Sequence, residues 1–425
     1  MIKLKIWGGA GEHGRSCYFL SGEQNRIMLD CGVKKEGVGI YPLLVAEEVS
    51  QLTAVFLSHA HEDHSIGLPL LYKHGYKGDI WTTRATAEQL GSYFDSWRRY
   101  VNRRGGELPY KEKHVEAMTY RYLEDYASPD EWFELSKDLR IKWGRSGHLA
   151  GSVWFLLEME ERKLFFSGDY SRESQLLDAD SPRSSKVDLS IVDNAYGMEA
   201  DPQQVKLEQL TQAAKRVLGA GGHLLLPVPT LGRGQELLVW ASEVFSQYEI
   251  IVEQEIWLGL ERMRNWSEWL RAGALQRIEE LLNSNKVVTP IDDQERSFLL
   301  ESDVPSIIFT GDGMMESPRA RWYYDQLSQS AKHAVILTGH TARGSFARKI
   351  LDKGTMPSGC SVQHICYKVH QGLPDVSMML NEVPSTQAVL VHAPKEETDL
   401  VVARLLDEGH KGLHSLQPGT ELNFR

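Results

Sequence analysis

The chain carries the segment His59-Ala60-His61-Glu62-Asp63-His64 directly after the apolar run Thr53-Ala54-Val55-Phe56-Leu57-Ser58. Its three histidines and one aspartate are residue types that bind metal ions through imidazole nitrogen and carboxylate oxygen. In an extended segment side chains alternate between two faces, so His59 and His61 would converge on one ion while Asp63 and His64 turn toward a second. The segment therefore predicts a two-metal hydrolytic centre, against the plain alternative of a polar loop after a strand.

Length and composition indicate a globular protein of two domains. At 425 residues the chain is too long for one ordinary hydrophobic core. Its hydrophobic share of 42% and charged share of 25% are ordinary for such proteins. Apolar and polar residues alternate from Met1 to Gly8 as they do in a strand. No run of consecutive apolar residues in the sequence is long enough to span a membrane. We therefore expect a cytoplasmic protein that does not bind membranes.

The charge and the cysteines argue against two further classes. A formal net charge of -11 does not suit a protein that coats nucleic acid non-specifically, because that mode depends on many lysines and arginines. The 4 cysteines form no Cys-x-x-Cys pair, so neither a disulfide framework nor a zinc ribbon is indicated. The run from Trp97 to Arg104 mixes aromatic and basic residues and could line a groove for nucleic acid. The solvated face of a helix explains the same run equally well.

Two regions with different patterns of predicted secondary structure follow one another along the chain. The first half consists of short apolar runs separated by glycines and polar turns, which predicts a β-rich layer. From about residue 203 helical and strand patterns alternate, which favours a parallel sheet with helices on both faces. We predict the last strand of this second region over Ser361 to Val369.

Three isolated residues after predicted strands could complete the metal sites. His148 lies in a glycine-flanked turn, Asp169 follows the strand Lys163 to Phe166, and His392 follows a strand that ends at Val391. A carboxylate has two oxygens and can bridge two cations. Each residue alone is a weak signal, because a single histidine or aspartate after a strand is more often an ordinary turn residue. Their agreement with the 59–64 segment makes them candidate ligands.

The order of these motifs resembles that of the metallo-β-lactamase fold. Asp30, the 59–64 segment, His148 and Asp169 match its successive motifs over the N-terminal half. Asp193, His370 and His392 resemble three further motifs of the β-CASP branch, which comprises nucleic-acid-processing hydrolases.

The resemblance implies a specific architecture, an α/β fold in which a metallo-β-lactamase αββα sandwich carries an inserted α/β β-CASP domain. The stretches Pro229–Leu238 and Thr310–Met315 look like parts of that inserted domain. The implied bounds are 1–196 for the first part of the lactamase-like domain, 197–368 for the insertion and 369–425 for the C-terminal part.

The resemblance also implies roles for the motif residues. Two cations would hold a water that loses a proton and attacks the phosphate. His370 would act as general acid, Asp193 would hold its ring, and Asp30 would orient a ligand histidine. Imidazole and carboxylate ligands without a thiolate suit two Zn²⁺ ions, with Mn²⁺ as the alternative. The implied ligands are His59, His61 and His148 for one ion, Asp63, His64 and His392 for the other, and Asp169 for both; Asp63 also counts as catalytic.

The third β-CASP motif bears on the substrate, because RNA-acting members of the branch carry histidine there and DNA-acting members an apolar residue. His392 therefore implies a zinc-dependent ribonuclease that hydrolyses single-stranded RNA, as an endonuclease, a 5′ exonuclease or both. The second motif departs from the usual Ser-Ala-His-x-Asp, since Tyr367-Lys368-Val369-His370-Gln371-Gly372 lacks the serine and the downstream acid. The candidate substrate contacts are Lys368, Arg233, Arg343 and Ser345.

Three other functions stay open at this point. A DNA nuclease of the same branch differs at a single discriminating residue, and a metallo-hydrolase of small esters or thioesters would share the N-terminal ligands. A non-catalytic scaffold subunit is disfavoured, because every expected ligand is present. The expected partners are single-stranded RNA and either a second copy of the chain or a processing complex.

Overall fold

The computed structural model of the chain describes residues 1–302, 304–342, 344–354 and 359–424. These residues form two compact units. Unit 1 comprises Met1–Arg172, Asp178–Ala200 and the chain from His370 onward, and unit 2 comprises Glu173–Leu177 and Asp201–Val369. The domain bounds 1–196, 197–368 and 369–425 stay a prediction.

Up to residue 200 the chain alternates strands with short helices and one long helix. The strands are β1 (Ile2–Gly8), β2 (Cys17–Ser21), β3 (Arg26–Leu29), β4 (Ala54–Phe56), β5 (Ile80–Thr82), β6 (Tyr120–Tyr122), β7 (Phe133–Ser136), β8 (Leu139–Arg145), β9 (Val153–Met159), β10 (Arg162–Phe166) and β11 (Val187–Asp193). The helices are α1 (Ala46–Val49), α2 (Glu62–Ser65), α3 (Leu68–Lys73), α4 (Arg84–Arg103) and α5 (Glu112–Glu116).

The rest of the chain is richer in helix. The helices are α6 (Gln203–Gly219), α7 (Arg233–Val244), α8 (Gln254–Arg264), α9 (Ala274–Leu282), α10 (Asp293–Glu301), α11 (Pro318–Leu327), α12 (Phe346–Lys353), α13 (Leu373–Glu382) and α14 (Lys395–Asp407). The strands are β12 (Leu224–Val228), β13 (Glu249–Val252), β14 (Val287–Val288), β15 (Ser306–Gly311), β16 (Ala334–Leu337), β17 (Ser361–His364), β18 (Ser385–Val391), β19 (Leu413–Ser415) and β20 (Glu421–Phe424).

Unit 1 contains two seven-stranded sheets, ordered β20-β1-β2-β3-β4-β5-β6 and β19-β18-β11-β10-β9-β8-β7. Aromatic side chains of the two sheets meet, since the ring centroids of Phe56 and Phe155 and those of Tyr18 and Phe166 are 5.6 Å apart. Buried residues of α13 and α14 pack with those of the second sheet in one apolar cluster. The apolar alternation along these strands therefore builds a sandwich that a helical layer covers.

Unit 2 is built around one parallel sheet of six strands, ordered β14-β13-β15-β12-β16-β17. All five residues of β12 are buried, as expected of a central parallel strand with both faces covered. Leu225, Ile308 and Val335 belong to the core cluster that also contains Tyr323 of α11 and Ile350 of α12.

The last predicted strand of this region is wrong in its second half. We predicted a strand over Ser361 to Val369, but β17 ends at His364. Its neighbour β16 ends at Leu337, opposite His364. Beyond this point the N–H groups of Ile365 and Tyr367 still donate to the carbonyls of Leu337 and Thr338 at 3.0 and 2.8 Å, but the regular strand pairing ends. His370 therefore does not follow a strand directly and lies just before α13 instead.

Candidate metal centre

The candidate ligands of unit 1 lie where its strands end. The parallel neighbours β3 and β4 run toward Asp30 and His59, and the parallel neighbours β10, β11 and β18 run toward Asp169, Asp193 and His392. Carboxyl ends of parallel strands meet at one edge of a sheet, which explains how residues so distant in sequence converge. His148 comes from the turn between β8 and β9, at a position that Gly147 with φ of 71° and Gly151 with φ of 88° allow.

The 59–64 segment is not extended throughout, which corrects the expectation of alternating faces. The helical turn α2 begins at Glu62, and the N–H groups of His64 and Ser65 both donate to the carbonyl of His61 at 3.0 Å. Glu62 and Asp63 are favourable in a first helical turn because their charges complement the helix dipole. Asp63 and His64 are thus oriented by a helix, and only His59 and His61 by the preceding loop.

Neighbouring backbone holds this helical turn in place. The carbonyl of Asp63 accepts from the N–H of Ser16 at 2.7 Å, and that of His64 accepts from the N–H of Cys31 at 2.8 Å. A Cβ atom added to Gly32 would lie 1.7 Å from the carbonyl oxygen of Asp63. Glycine at position 32 is therefore required for the close approach of the two segments.

The first set of donor atoms is His59 Nε2, His61 Nδ1, His148 Nε2 and Asp169 Oδ2. The His61 nitrogen lies 3.1 Å from that of His59 and 3.0 Å from that of His148. Asp169 Oδ2 lies 3.4 Å from the Nε2 atoms of His59 and His148. Bonds of about 2.1 Å to a tetrahedral zinc ion place the donor atoms roughly 3.4 Å apart. The spacing of this set fits such an ion.

The second set is formed by Asp63, His64 and His392, whose donor atoms also lie close enough together to hold an ion. Asp63 Oδ2 is 2.9 Å from His392 Nε2 and 3.8 Å from His64 Nε2. His392 Nδ1 is buried and has no hydrogen-bond partner among the described residues. Two carboxylate oxygens face this nitrogen at slightly longer distances, Asp169 Oδ1 at 3.5 Å and Asp193 Oδ1 at 3.6 Å.

Asp169 connects the two sets. Its Oδ2 faces His59 and His148, while its Oδ1 lies 3.2 Å from His64 Nε2 and 3.5 Å from His392 Nδ1. One carboxylate thus presents one oxygen to each set, as a bridging ligand does.

The electrostatics differ between the histidines of the two donor sets. Burial lowers the pKa of His59 and His61, which leaves their imidazoles neutral. Burial alone would raise the pKa of Asp63 and Asp169, but the adjacent histidines hold both below the usual value for a carboxyl group. Burial alone would lower the pKa of His64 and His392, but the adjacent carboxylates, Asp169 foremost, hold both above the usual value for an imidazole. Neutral imidazole and ionised carboxylate are the forms that coordinate a cation, so the first set fits a divalent metal directly, and metal binding to the second set would release protons from these two histidines.

Asp30 lies beneath this centre and is fully buried. Its carboxylate accepts from the N–H and the hydroxyl of Ser58 at 2.7 Å, and one of its oxygens lies 2.6 Å from His64 Nδ1. These contacts fix the ring of His64 so that Nε2 points toward Asp169. Such a carboxylate behind a ligand histidine is a common feature of metal sites.

His370 and Asp193 form a pair beside the second set. His370 Nδ1 lies 3.1 Å from Asp193 Oδ2, and the His370 side chain keeps 13% exposure. Asp193 also accepts the N–H of Tyr170 at 3.1 Å and that of Ala195 at 3.0 Å. Burial works to raise the pKa of Asp193, but the neighbouring His370 and the hydrogen bonds it receives hold it below the usual value. The pair therefore combines a fixed carboxylate with a partly accessible imidazole.

The candidate substrate contacts lie in unit 2 and differ in how available they are. Lys368 is 3% exposed and its ammonium pairs with Glu173, and its role as a substrate contact stays a prediction. Ser345 is also buried, and its hydroxyl caps α12 by accepting the N–H of Arg348 at 3.2 Å. Arg233 begins α7 and is partly exposed, and Arg343 lies outside the described residues.

The run from Trp97 to Arg104 forms the C-terminal end of helix α4. Leu90, Phe94, Trp97 and Val101 form the buried stripe of α4, and Trp97 stacks on Tyr100 with centroids 4.9 Å apart. These aromatic rings are buried in unit 1, which favours the solvated-helix alternative for the basic residues between them.

Three residues near the centre were not predicted. Ser58 holds Asp30, and its hydroxyl lies 3.1 Å from His59 Nδ1. Gln371 donates to the backbone carbonyl of Asp193 at 3.0 Å, and both polar atoms of the buried Asn194 side chain have no partner among the described residues. Their positions beside His59, His370 and Asp193 were the only signal in the sequence that could have identified them.

Comparisons with known proteins agree with this geometry. The model of the metallo-beta-lactamase superfamily matches residues 10–227, and that of the Beta-Casp domain matches residues 236–350. One solved structure, a protein of unknown function from Enterococcus faecalis V583, aligns with a TM-score of 0.58 at 14% identity over 99% of both chains, which supports the fold alone. No described helix has the length and apolar composition needed to span a membrane.

Several curated proteins are similar in sequence. Transcription termination factor FttA of Methanothermobacter thermautotrophicus is 28% identical over 370 residues, covering 82% of this chain and 57% of that protein. Cleavage and polyadenylation specificity factor 73 of Drosophila melanogaster is 27% identical over 417 residues, covering 93% and 60%. Probable RNase MJ4 of Methanocaldococcus jannaschii is 24% identical over 424 residues, covering 96% and 97%.

The chain thus spans 57% and 60% of the first two relatives and nearly all of the third. The family resemblance and the fold class predicted from the sequence are confirmed by the two domain matches. The chain belongs to the metallo-beta-lactamase superfamily and carries a Beta-Casp domain.

Proposed function

We propose that this protein is a metal-dependent ribonuclease that hydrolyses phosphodiester bonds of single-stranded RNA. The observation that carries the proposal is the pair of donor sets joined by Asp169, with the His370–Asp193 pair beside them. Relatives whose names state RNA cleavage, such as Probable RNase MJ4, support RNA as the substrate.

Each side chain has a proposed task. His59, His61 and His148 would hold one cation, Asp63, His64 and His392 the other, and Asp169 both. Two bound divalent cations, Zn²⁺ or Mn²⁺, would supply a nucleophile at neutral pH and stabilise charge on the phosphate. Asp30 keeps the ring of His64 oriented through the 2.6 Å contact with Nδ1.

His370 is proposed to protonate the leaving oxygen. With Nδ1 held by Asp193, Nε2 is the nitrogen left to carry a proton, and the 13% exposure of the side chain allows contact with a substrate. A positioned acid of this kind contributes about 10²–10⁴-fold to a rate. The 3.1 Å contact of Asp193 with Nδ1 prevents the ring of His370 from turning.

The direct test is hydrolysis of three substrates by the purified, metal-loaded protein. We expect cleavage of labelled single-stranded RNA, little cleavage of DNA of the same sequence, and none of a generic thioester. Hydrolysis of the thioester alone would refute the proposal. Faster cleavage of DNA than of RNA would also refute it and would show that the protein is a DNA nuclease of the β-CASP branch. Asp169→Asn serves as the inactive control, because it weakens both donor sets at once.

The mode of cleavage can be tested with the ends of the RNA. A circular RNA has no end, so cleavage of a circle shows endonuclease activity. Faster degradation of 5′-monophosphorylated than of 5′-triphosphorylated RNA shows a 5′ exonuclease. Oligomeric state, measured by light scattering, tests the proposed second copy of the chain.

A further inference from the structure

The parallel sheet of unit 2 contains a topological switch point. The neighbours β15 and β12 lie at its centre, and the chain leaves them in opposite directions. After β12 it passes through α7 to β13, and after β15 it passes through α11 to β16, on the other side. Right-handed crossovers place these two helices on opposite faces, which opens a crevice at the carboxyl ends of the two strands. Open α/β sheets bind ligands in such crevices.

Unpartnered polar atoms collect at this edge. Two buried side-chain atoms here have no hydrogen-bond partner among the described residues: Arg233 Nε, at the start of α7, and Thr338 Oγ1, just after β16. Thr338 is 1% exposed. Buried polar groups in folded proteins are normally paired, so two unpaired donors at one edge of the sheet indicate a position where a ligand binds.

The guanidinium of Arg233 lies over a glycine at the crevice. A Cβ atom added to Gly339, just after β16, would fall 2.1 to 2.6 Å from three of its atoms. A Cβ atom on Gly313, in the loop after β15, would lie 3.6 Å from Nη2. No described carboxylate forms an ion pair with Arg233, so its charge is available to an anion from outside the chain.

The first turn of α7 adds backbone donors. This helix has 12 residues, begins after Gly232 with φ of 87°, and has no side chain as an N-terminal cap. The N–H groups of Arg233 and Gly234 find no acceptor among the residues that the structure describes. An uncapped helix N-terminus combines free N–H groups with the positive end of the helix dipole, which favours anions.

The two threonines differ in the face they occupy. β12 and β16 pair Leu225 with Val335, so Thr338 lies level with Val228, on the face opposite Leu337. Leu337 belongs to the core cluster of α11 and α12, so Thr338 lies on the α7 face. Thr310, two residues after Ile308 of the same cluster, lies on the α11 face and serves as a control.

We propose that Arg233, Thr338 and the N-terminus of α7 form a binding site for a phosphate group. Guanidinium, hydroxyl and backbone N–H groups are the donors that phosphate oxygens take in proteins. A phosphomonoester and a phosphodiester of RNA share this chemistry. The site consists of unit 2 residues alone and does not depend on the proposed hydrolytic activity.

Isothermal titration calorimetry of the metal-loaded protein with inorganic phosphate tests the site. All variants keep the proposed metal ligands, so any binding of phosphate at the metal centre is the same in every variant. We expect saturable binding to the wild type that is at least about tenfold weaker in Arg233→Gln and in Gly339→Ala, because a hydrogen bond to a charged group has that value or more. Thr338→Val should weaken binding about threefold to tenfold, as a neutral hydrogen bond does, and Thr310→Val should leave it within about twofold.

Equal phosphate binding by the wild type and Arg233→Gln would overturn the proposal, as would equal losses in the two threonine variants. Circular dichroism shows whether each variant is folded, and Gly339→Ala tests the site without removing the arginine. The salt dependence of single-stranded RNA binding identifies the source of the phosphate: a slope reduced by about 1 in Arg233→Gln assigns the site to an RNA phosphodiester, and an unchanged slope assigns it to a small phosphomonoester. Loss of phosphate binding with RNA hydrolysis retained separates this site from the proposed function.

Discussion

Replacing Asp30 by asparagine should weaken metal binding without altering any proposed ligand. The Asp30 carboxylate is completely buried and is shared between Ser58 and the ring of His64. Asparagine has nearly the same shape, but it has no charge and only one acceptor oxygen. Its amide group would therefore face either a donor of Ser58 or the Nδ1 atom of His64, and the His64 ring would lose its anchor.

Two independent magnitudes agree for this change. A hydrogen bond to a charged group contributes about 1.5–3 kcal/mol. Loss of a partner that orients a ligand typically costs about 10–100-fold in metal affinity, which is roughly 1.4–2.8 kcal/mol. We therefore expect Asp30→Asn to bind Zn²⁺ about 10–100-fold more weakly than the wild type.

Competition with a chromophoric zinc chelator measures this affinity. Glu253→Gln is the matched control, because Glu253 is a buried carboxylate in unit 2 that accepts bonds from Arg296 at 2.8 and 2.7 Å and from Tyr323 at 2.6 Å. It should lower the free energy of unfolding and leave zinc affinity unchanged. Unchanged affinity in Asp30→Asn, or an equal loss in both variants, would show that Asp30 does not act by orienting His64.

Three further changes have defined outcomes. Gly32→Ala would place a Cβ atom 1.7 Å from the Asp63 carbonyl, so we expect it to abolish metal binding and activity, whereas Gly91→Ala, whose Cβ atom meets nothing within 4 Å, should leave both unchanged in the same assays. His370→Asn should lower kcat for RNA about 10²–10⁴-fold with metal content unchanged by elemental analysis, and a fall of less than tenfold would contradict the general-acid role. Burial lowers the pKa of His333 from 6.5 to about 4, and its Nδ1 accepts a backbone N–H at 2.9 Å, so the folded state disfavours the protonated ring. The free energy of unfolding should hence fall as pH drops from 6.5 toward 4, and urea titrations should show a flatter profile for His333→Gln; an identical profile would rule out this histidine as the cause.

The metal-ligand motifs could be identified from sequence because they combine rare residue types with strand ends. An apolar run bounded by glycine or polar residues locates a strand without knowledge of its neighbours, as β2 and β3 illustrate. The order of Asp30, the 59–64 segment, His148 and Asp169 then identified the family, which the domain matches confirm. Their assigned roles stay predictions.

Other features depend on contacts that no local pattern contains. The turn of helix from Glu62 to Ser65 is too short for a periodic signal. The end of β17 is set by the end of its neighbour β16, and the burial of Lys368 is set by Glu173, 195 positions earlier in the chain. Long-range pairing of this kind appears only in the folded structure.

The second donor set also constrains when the centre can be completed during synthesis. Its members Asp63 and His392 are separated by 329 positions, and His392 is positioned by β18, which pairs with β11. The first set needs nothing beyond Asp169, so a growing chain could acquire it while most of unit 2 is still unmade. The centre is therefore completed only after β18, and a ribosome-bound fragment that ends before this strand would contain six of the seven proposed ligands together with His370, and would lack His392.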